Sequence, residues 1–138
     1  MIERLALPTS VRDDIIAHAR AKAPREACGM VLALDDQLVI LCCENVHPTP
    51  VTKFAIDARV LHQLLTQIGE ENIRAIYHSH PATQPFPSPW DRDGAQYPDA
   101  FYVLVSLRGP VPEMRAFRIG RSIDPDEKRR WVREVPLA

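Results

Sequence analysis

The chain has 138 residues, 46% of them apolar and 25% charged, and a formal net charge of −1. Folding at that length buries roughly 70% of the surface of the unfolded chain, and this composition argues against a disordered tail or a fibrous repeat. The charge balance supplies no general attraction to nucleic acid or to an anionic membrane.

No apolar run approaches the roughly 20 residues that span a bilayer, and the opening MIERLALPTS lacks the apolar centre of a secretion signal. The expected location is the cytoplasm. Three cysteines, Cys28, Cys42 and Cys43, are an odd number with two adjacent. That pattern is no disulfide framework, so they read as reduced thiols filling small core positions.

In chain order, Ser10 with Asp13 three residues on has the form of a capping box, and Val11, Ile15 and Ala19 recur at helical spacing up to a stop before Pro24. Cys28 to Leu34 and Leu38 to Cys43 are apolar runs separated by Asp35-Asp36-Gln37, which predicts a hairpin. From Asn45 to Thr52 two prolines and the lack of any period predict a loop leading to a short extended piece at Phe54 to Ile56. Asp57 is placed to cap a second helix whose stripe is Val60, Leu61, Leu64, Leu65 and Ile68, with Gly69 as its stop.

Ile73 to His80 reads as a strand, Pro81 to Pro89 as a proline-rich loop and Pro89 to about Ala95 as a short helix. Phe101 to Leu107 is almost wholly apolar and therefore predicts a central strand. Met114 to Ile119 is another strand candidate, and the segment after Arg121 fits either a charged helix or an edge strand. After Leu107 eight Lys or Arg stand against five Asp or Glu, which reads as a solvated face or as a surface for an acidic protein partner. The sum is an α/β protein, a mixed β-sheet of five or six strands flanked by helices, forming one domain over residues 1–138.

The chemistry concentrates in Tyr77-His78-Ser79-His80-Pro81 and Pro87-Ser88-Pro89-Trp90-Asp91. Side chains at i and i+2 of a strand share a face, so His78 and His80 can present two imidazoles to one point. Hydrolytic zinc sites use three ligands from His, Asp and Glu and leave the fourth position to water, and Asp91 can be the third. Each part also has a plain structural reading. An alternating His pair at a strand end is common, and Ser88, Pro89 and Asp91 suit N-cap, N1 and N3 of a helix. A loop with this many prolines is rigid, however, and that suits a segment holding something in place. Two His and one carboxylate also occur in non-haem Fe(II) oxygenases, so the ligand types alone leave the reaction open.

At this spacing the residues resemble a known family. His78-Ser79-His80-Pro81, six residues, then Ser88, two residues and Asp91 match the HxHP–x6–SxxD signature of the JAMM, or MPN/JAB1, zinc metallopeptidases. Glu26-Ala27-Cys28-Gly29 looks like the family's upstream glutamate, and the likeness runs from about Glu26 to Phe117. The resemblance implies a cytidine-deaminase-like JAB1/MPN fold in which His78, His80 and Asp91 hold Zn2+, Glu26 is the general base and Ser88 donates a hydrogen bond to the oxyanion. Ser88 is then asked to act as N-cap and as donor, and one proton cannot serve both.

Members resembling this sequence cleave the bond after the C-terminal glycine of ubiquitin-like proteins, including bacterial sulfur carriers. The implied partner is a ubiquitin-like or sulfur-carrier protein ending in Gly-Gly, laid along a sheet edge. The compact chain resembles the small bacterial members that act on carrier adducts, for example by releasing cysteine. The alternative from another class is a non-catalytic MPN scaffold, against which the intact Glu26, His78, His80 and Asp91 argue. Other residues read plainly: His18 and His62 as partly exposed helix positions, Trp90 and Phe86 as packing. Cys28 and His47 remain open as contributors to the site.

Overall fold

The structure, a computed structural model, describes residues 3–138. Six strands form one sheet in the order β2-β1-β3-β4-β5-β6, where β1 is Cys28–Leu34, β2 Gln37–Cys43, β3 Ile73–His80, β4 Phe101–Ser106, β5 Glu113–Gly120 and β6 Trp131–Val135. All neighbours are antiparallel except β3 and β4, which run parallel because the chain crosses over between them. The helices are α1, Thr9–Lys22, α2, Ala58–Ile68, and α3, Pro89–Gly94, the last lying in that crossover. Phe101 to Ser106 is buried at every position, as the apolar run requires of a central strand. The ambiguous C-terminal segment resolves as the edge strand β6. No described helix is long and apolar enough to cross a membrane.

One face of the sheet is covered by α1. Its stripe of Val11, Ile15 and Ala19 is fully buried against Val31, Ala75, Tyr77, Val103 and Val105. Tyr77, completely enclosed, accepts a hydrogen bond from His18 Nδ1 at 2.7 Å and donates to Cys42 Sγ at 3.6 Å. His18 is thereby tied to the core, whereas His62 is exposed. Gly29 stands opposite the phenol: a Cβ there would lie 2.5 Å from Tyr77 Oη and 2.3 Å from the Leu41 carbonyl, so only glycine fits the position.

The other face holds Met30, Leu32, Ile76, Tyr102, Leu104, Phe117 and Ile119, against which α2 leans Leu61, Leu64, Leu65 and Ile68. Asp57 caps α2 by accepting from Arg59 N–H at 2.8 Å, and Gly69 ends it at a φ of 83°. None of the α2 side chains is fully buried, and Val60, assigned to the stripe, is exposed.

Two local expectations are corrected. Helix α1 starts one residue before Ser10 and has Pro8 at its N-cap with no side-chain cap, so the Ser10–Asp13 capping box does not form; the Pro8 carbonyl instead accepts from Val11 and Arg12 N–H. The hairpin turn is only Asp35-Asp36, both in the left-handed region at φ 49° and 63°, while Gln37 already pairs with Leu34. Such a two-residue turn matches the twist of the strands it joins. The extended piece at Phe54 to Ile56 lies outside the strands of the sheet; its Ala55 carbonyl accepts from Val46 N–H, and the Asn45 and Trp90 side chains hold it otherwise.

Candidate metal centre

His78 and His80 lie at the carboxyl end of β3, where open α/β sheets gather their ligand-binding residues. The pleat turns both imidazoles to the α2 face, with the two Nε2 atoms 3.2 Å apart. Asp91 comes from the first turn of α3, and its Oδ2 stands 3.1 Å from each of those nitrogens. Glu26, just before β1, joins them: one ligand atom from each of the four residues lies within 4.8 Å of the others, and all four residues are buried.

The local sequence explains the precision of this placement. Ser88 and Asp91 form a reciprocal capping box in which Ser88 Oγ accepts from Asp91 N–H at 3.2 Å and Asp91 Oδ2 accepts from Ser88 N–H at 2.9 Å. The cap therefore uses a lone pair of the Ser88 hydroxyl and leaves its proton free, so the expected competition between capping and donation does not arise. His80 Nδ1 donates to the Gln84 carbonyl at 2.8 Å, which aims a bare Nε2 at the cluster when the ring is neutral. Phe54 stacks on His78 with ring centroids 4.3 Å apart and shields it.

The donor set fits a cation. Three atoms converge on one point, and their own hydrogen bonds cannot satisfy all three pairs, because an Nε2–Nε2 contact requires one ring to be without a proton there. Ligands in a tetrahedral zinc site with bonds of about 2.0–2.1 Å stand ~3.3 Å apart, close to the separations found here. Glu26 Oε1 and His78 Nδ1 are buried without a hydrogen-bond partner, and the Glu26 oxygen suits a water held beside such an ion.

Without a cation the groups are strongly perturbed. Burial, reinforced by the Asp91 charge and only partly offset by His80, pushes Glu26 from the ordinary 4.5 up to about 8. Burial also favours neutral Asp91, but His78, His80 and the Ser88 N–H outweigh it and hold the carboxyl far below its usual range. Enclosure lowers His78 despite Asp91, whereas for His80 burial is overcome by Asp91, the Gln84 carbonyl and Glu26, and its pKa rises. Cys28 is pushed up to about 12 by burial and by nearby Cys43 and Glu26, which leaves it an inert thiol outside the cluster. Of the other two cysteines Cys42 is exposed rather than a core filler, and Cys43 is half-buried.

Two residues that matter for this geometry carry no motif. Ser79, between the two histidines, accepts from Ala27 N–H at 2.8 Å, and its own N–H donates to the Ala27 carbonyl at 2.9 Å, fixing the Glu26 segment to β3. Asn45 Nδ2 donates to the Glu26 and Lys53 carbonyls, both at 3.0 Å, while its Oδ1 accepts from His47 and Ala55 N–H, both at 3.1 Å. The only trace in the sequence is an asparagine in a proline-flanked loop, where its amide can replace a ladder. His47 stays outside the cluster, edge-on to Trp90 at 4.9 Å with Nδ1 accepting from Thr49 N–H. Trp90 and Phe86 are 44% and 41% exposed, yet both pack within the chain, Trp90 against His47 and Phe86 against Phe117.

Residues 8–120 match the family described as prokaryotic homologs of the JAB domain. The chain belongs to the prokaryotic JAB family. Among curated members this JAB chain is 32% identical over 115 residues to the desampylase of Haloferax volcanii, covering 77% of this chain and 83% of that one. It is 34% identical over 121 residues to the CysO-cysteine peptidase of Mycobacterium bovis, covering 83% and 82%. The JAB fold is seen again in the solution structure of a Desulfitobacterium hafniense protein, with a TM-score of 0.73 and 26% identity over 97% of this chain and 91% of that one.

Proposed function

We propose that this JAB-family chain is a zinc-dependent metallopeptidase, one domain over residues 1–138, that hydrolyses the peptide or isopeptide bond after the C-terminal glycine of a ubiquitin-like or sulfur-carrier protein. The observation that carries the reading is the buried convergence of His78, His80 and Asp91 with the unpartnered Glu26 oxygen beside them. Relatives named for cysteine release from CysO and for desampylation support the substrate class.

His78, His80 and Asp91 would hold the ion, which when bound supplies a Lewis acid and a water of pKa about 7. Glu26 takes one proton from the attacking water as the C–O bond forms and hands it to the leaving nitrogen as the C–N bond breaks. Its carboxyl, pushed up by burial, suits a group that must both accept and return that proton. Ser88 directs its free hydroxyl proton at the developing oxyanion, a contact typically worth about 3 kcal/mol in such sites. The free edge of β2 supports an extended tail: Cys43 at its end pairs with Cys28, which pairs in turn with His78. The scaffold reading gains nothing from the structure, because a pure binding module needs no buried four-residue cluster.

The test is hydrolysis of a sulfur carrier extended by one residue after Gly-Gly, followed by mass spectrometry. The wild type releases the added residue, and Glu26→Gln keeps its metal while losing turnover by roughly 100-fold or more. Full hydrolysis by Glu26→Gln would remove the base from the mechanism.

A further inference from the structure

Beyond the ligands, the rim of the centre carries a cation that the mechanism above does not use. Lys53 is half-buried, its Nζ lies 5.8 Å from the centre of the Trp90 ring, and none of the ion pairs among the described residues involves it. Its backbone is fixed, the N–H donating to the Thr49 carbonyl at 3.1 Å and the carbonyl accepting from Asn45 at 3.0 Å. Both neighbours of this ammonium lead straight to the ligands. Phe54 follows it in the chain and stacks on His78, and Trp90, whose indole N–H donates to the Phe54 carbonyl at 3.2 Å, immediately precedes Asp91.

An ammonium held 5.8 Å from the centre of an indole face is positioned but still has hydrogen-bond donors to offer. The carboxylates of the cluster, Glu26 and Asp91, are committed to the centre, and no carboxylate among the described residues pairs with Lys53. An anion arriving with the substrate is therefore the natural partner. On the carrier side of the scissile bond a Gly-Gly end brings no charge. On the other side, a single amino acid leaves with its α-carboxylate only two bonds from the scissile nitrogen, whereas the ε-amine of a lysine in a protein brings no carboxylate near. Phe54, Trp90, His78 and Asp91 also wall an apolar cavity of about 320 Å³ that extends beneath Leu61 of α2. It is large enough for any one uncharged side chain and offers little to a charged one.

We propose that Lys53, held on Trp90, binds the α-carboxylate of the leaving group, so that this chain acts on carriers bearing one free amino acid with an apolar or thiol side chain in preference to carriers joined to a protein lysine. The proposal rests on the hydrolase reading and names the leaving group for it. Lys53 is a specificity residue here, and Trp90 positions it.

The experiment compares two forms of a sulfur carrier carrying one cysteine after Gly-Gly, the free acid and the α-amide, which differ by one charge. Binding to metal-loaded Glu26→Gln is measured by calorimetry, and hydrolysis by the wild type is measured alongside. The acid is expected to bind roughly fivefold to tenfold more tightly than the amide, with the ratio shrinking as salt is raised to about 0.5 M. Adding Lys53→Met brings the ratio to about one, and Lys53→Arg retains it. Equal binding of acid and amide, or a ratio that survives Lys53→Met, overturns the assignment while leaving the hydrolase intact. Binding of neither form also overturns it. Tight, charge-dependent binding with no hydrolysis of either form by the wild type would instead strike the hydrolase reading.

Discussion

The two long helices cover opposite faces of one sheet and do so at different depths. The stripe of α1 is fully buried, and its face closes on itself through Tyr77 and His18, whereas α2 leaves every side chain partly exposed above an apolar cavity. Among the described residues, only the α2 face carries buried, unpartnered side-chain atoms, those of Glu26 and His78, together with the converging Asp91. The close-packed face provides rigidity, and the looser one trades packing for polar groups held ready for a ligand.

That contrast can be broken most sharply by pH. In chelated protein Glu26 has a folded pKa of about 8 against the ordinary 4.5, so the folded state binds the extra proton. Its contribution is fully present below pH 4.5 and is lost as pH rises through 8. Across that window metal-free wild type should lose on the order of 4 kcal/mol relative to Glu26→Gln. Urea unfolding of both proteins at several pH values checks this, and parallel curves would remove Glu26 from its buried role.

Next in size, Ile15→Ala on the α1 face should cost about 3–4 kcal/mol, because a fully buried side chain leaves a cavity there. Turnover per folded molecule should not change. Asn45→Ala should cost about 2 kcal/mol by stranding the Glu26 and Lys53 carbonyls, and it should also lower kcat by loosening Glu26. An unchanged kcat would reduce Asn45 to a loop clasp. Smallest is Leu64→Ala in α2, about 1 kcal/mol by the same unfolding measurement; a loss as large as that of Ile15→Ala would erase the difference between the faces.

Periodicity made much of this legible. The i, i+2 placement of His78 and His80 and the Ser88–Asp91 cap follow from strand and helix geometry, and the structure realises both. The amphipathic stripe of α2 told which side faces the sheet but not how deeply it sits, since depth depends on what fills the space beneath. Glu26 stands 52 residues before His78, and it reaches the centre through long-range contacts, the pairing of Cys28 with His78 across β1 and β3 and the Ser79–Ala27 hydrogen bonds beside it. Asn45 and Ser79 stayed hidden because they act through backbone hydrogen bonds between distant segments, which no local pattern encodes.

The most direct measurement is the metal content of purified protein by elemental analysis, wild type beside Asp91→Asn. About one zinc per chain in the wild type and clearly less in the variant is the predicted result. No zinc in the wild type even after reconstitution would contradict the account at its centre.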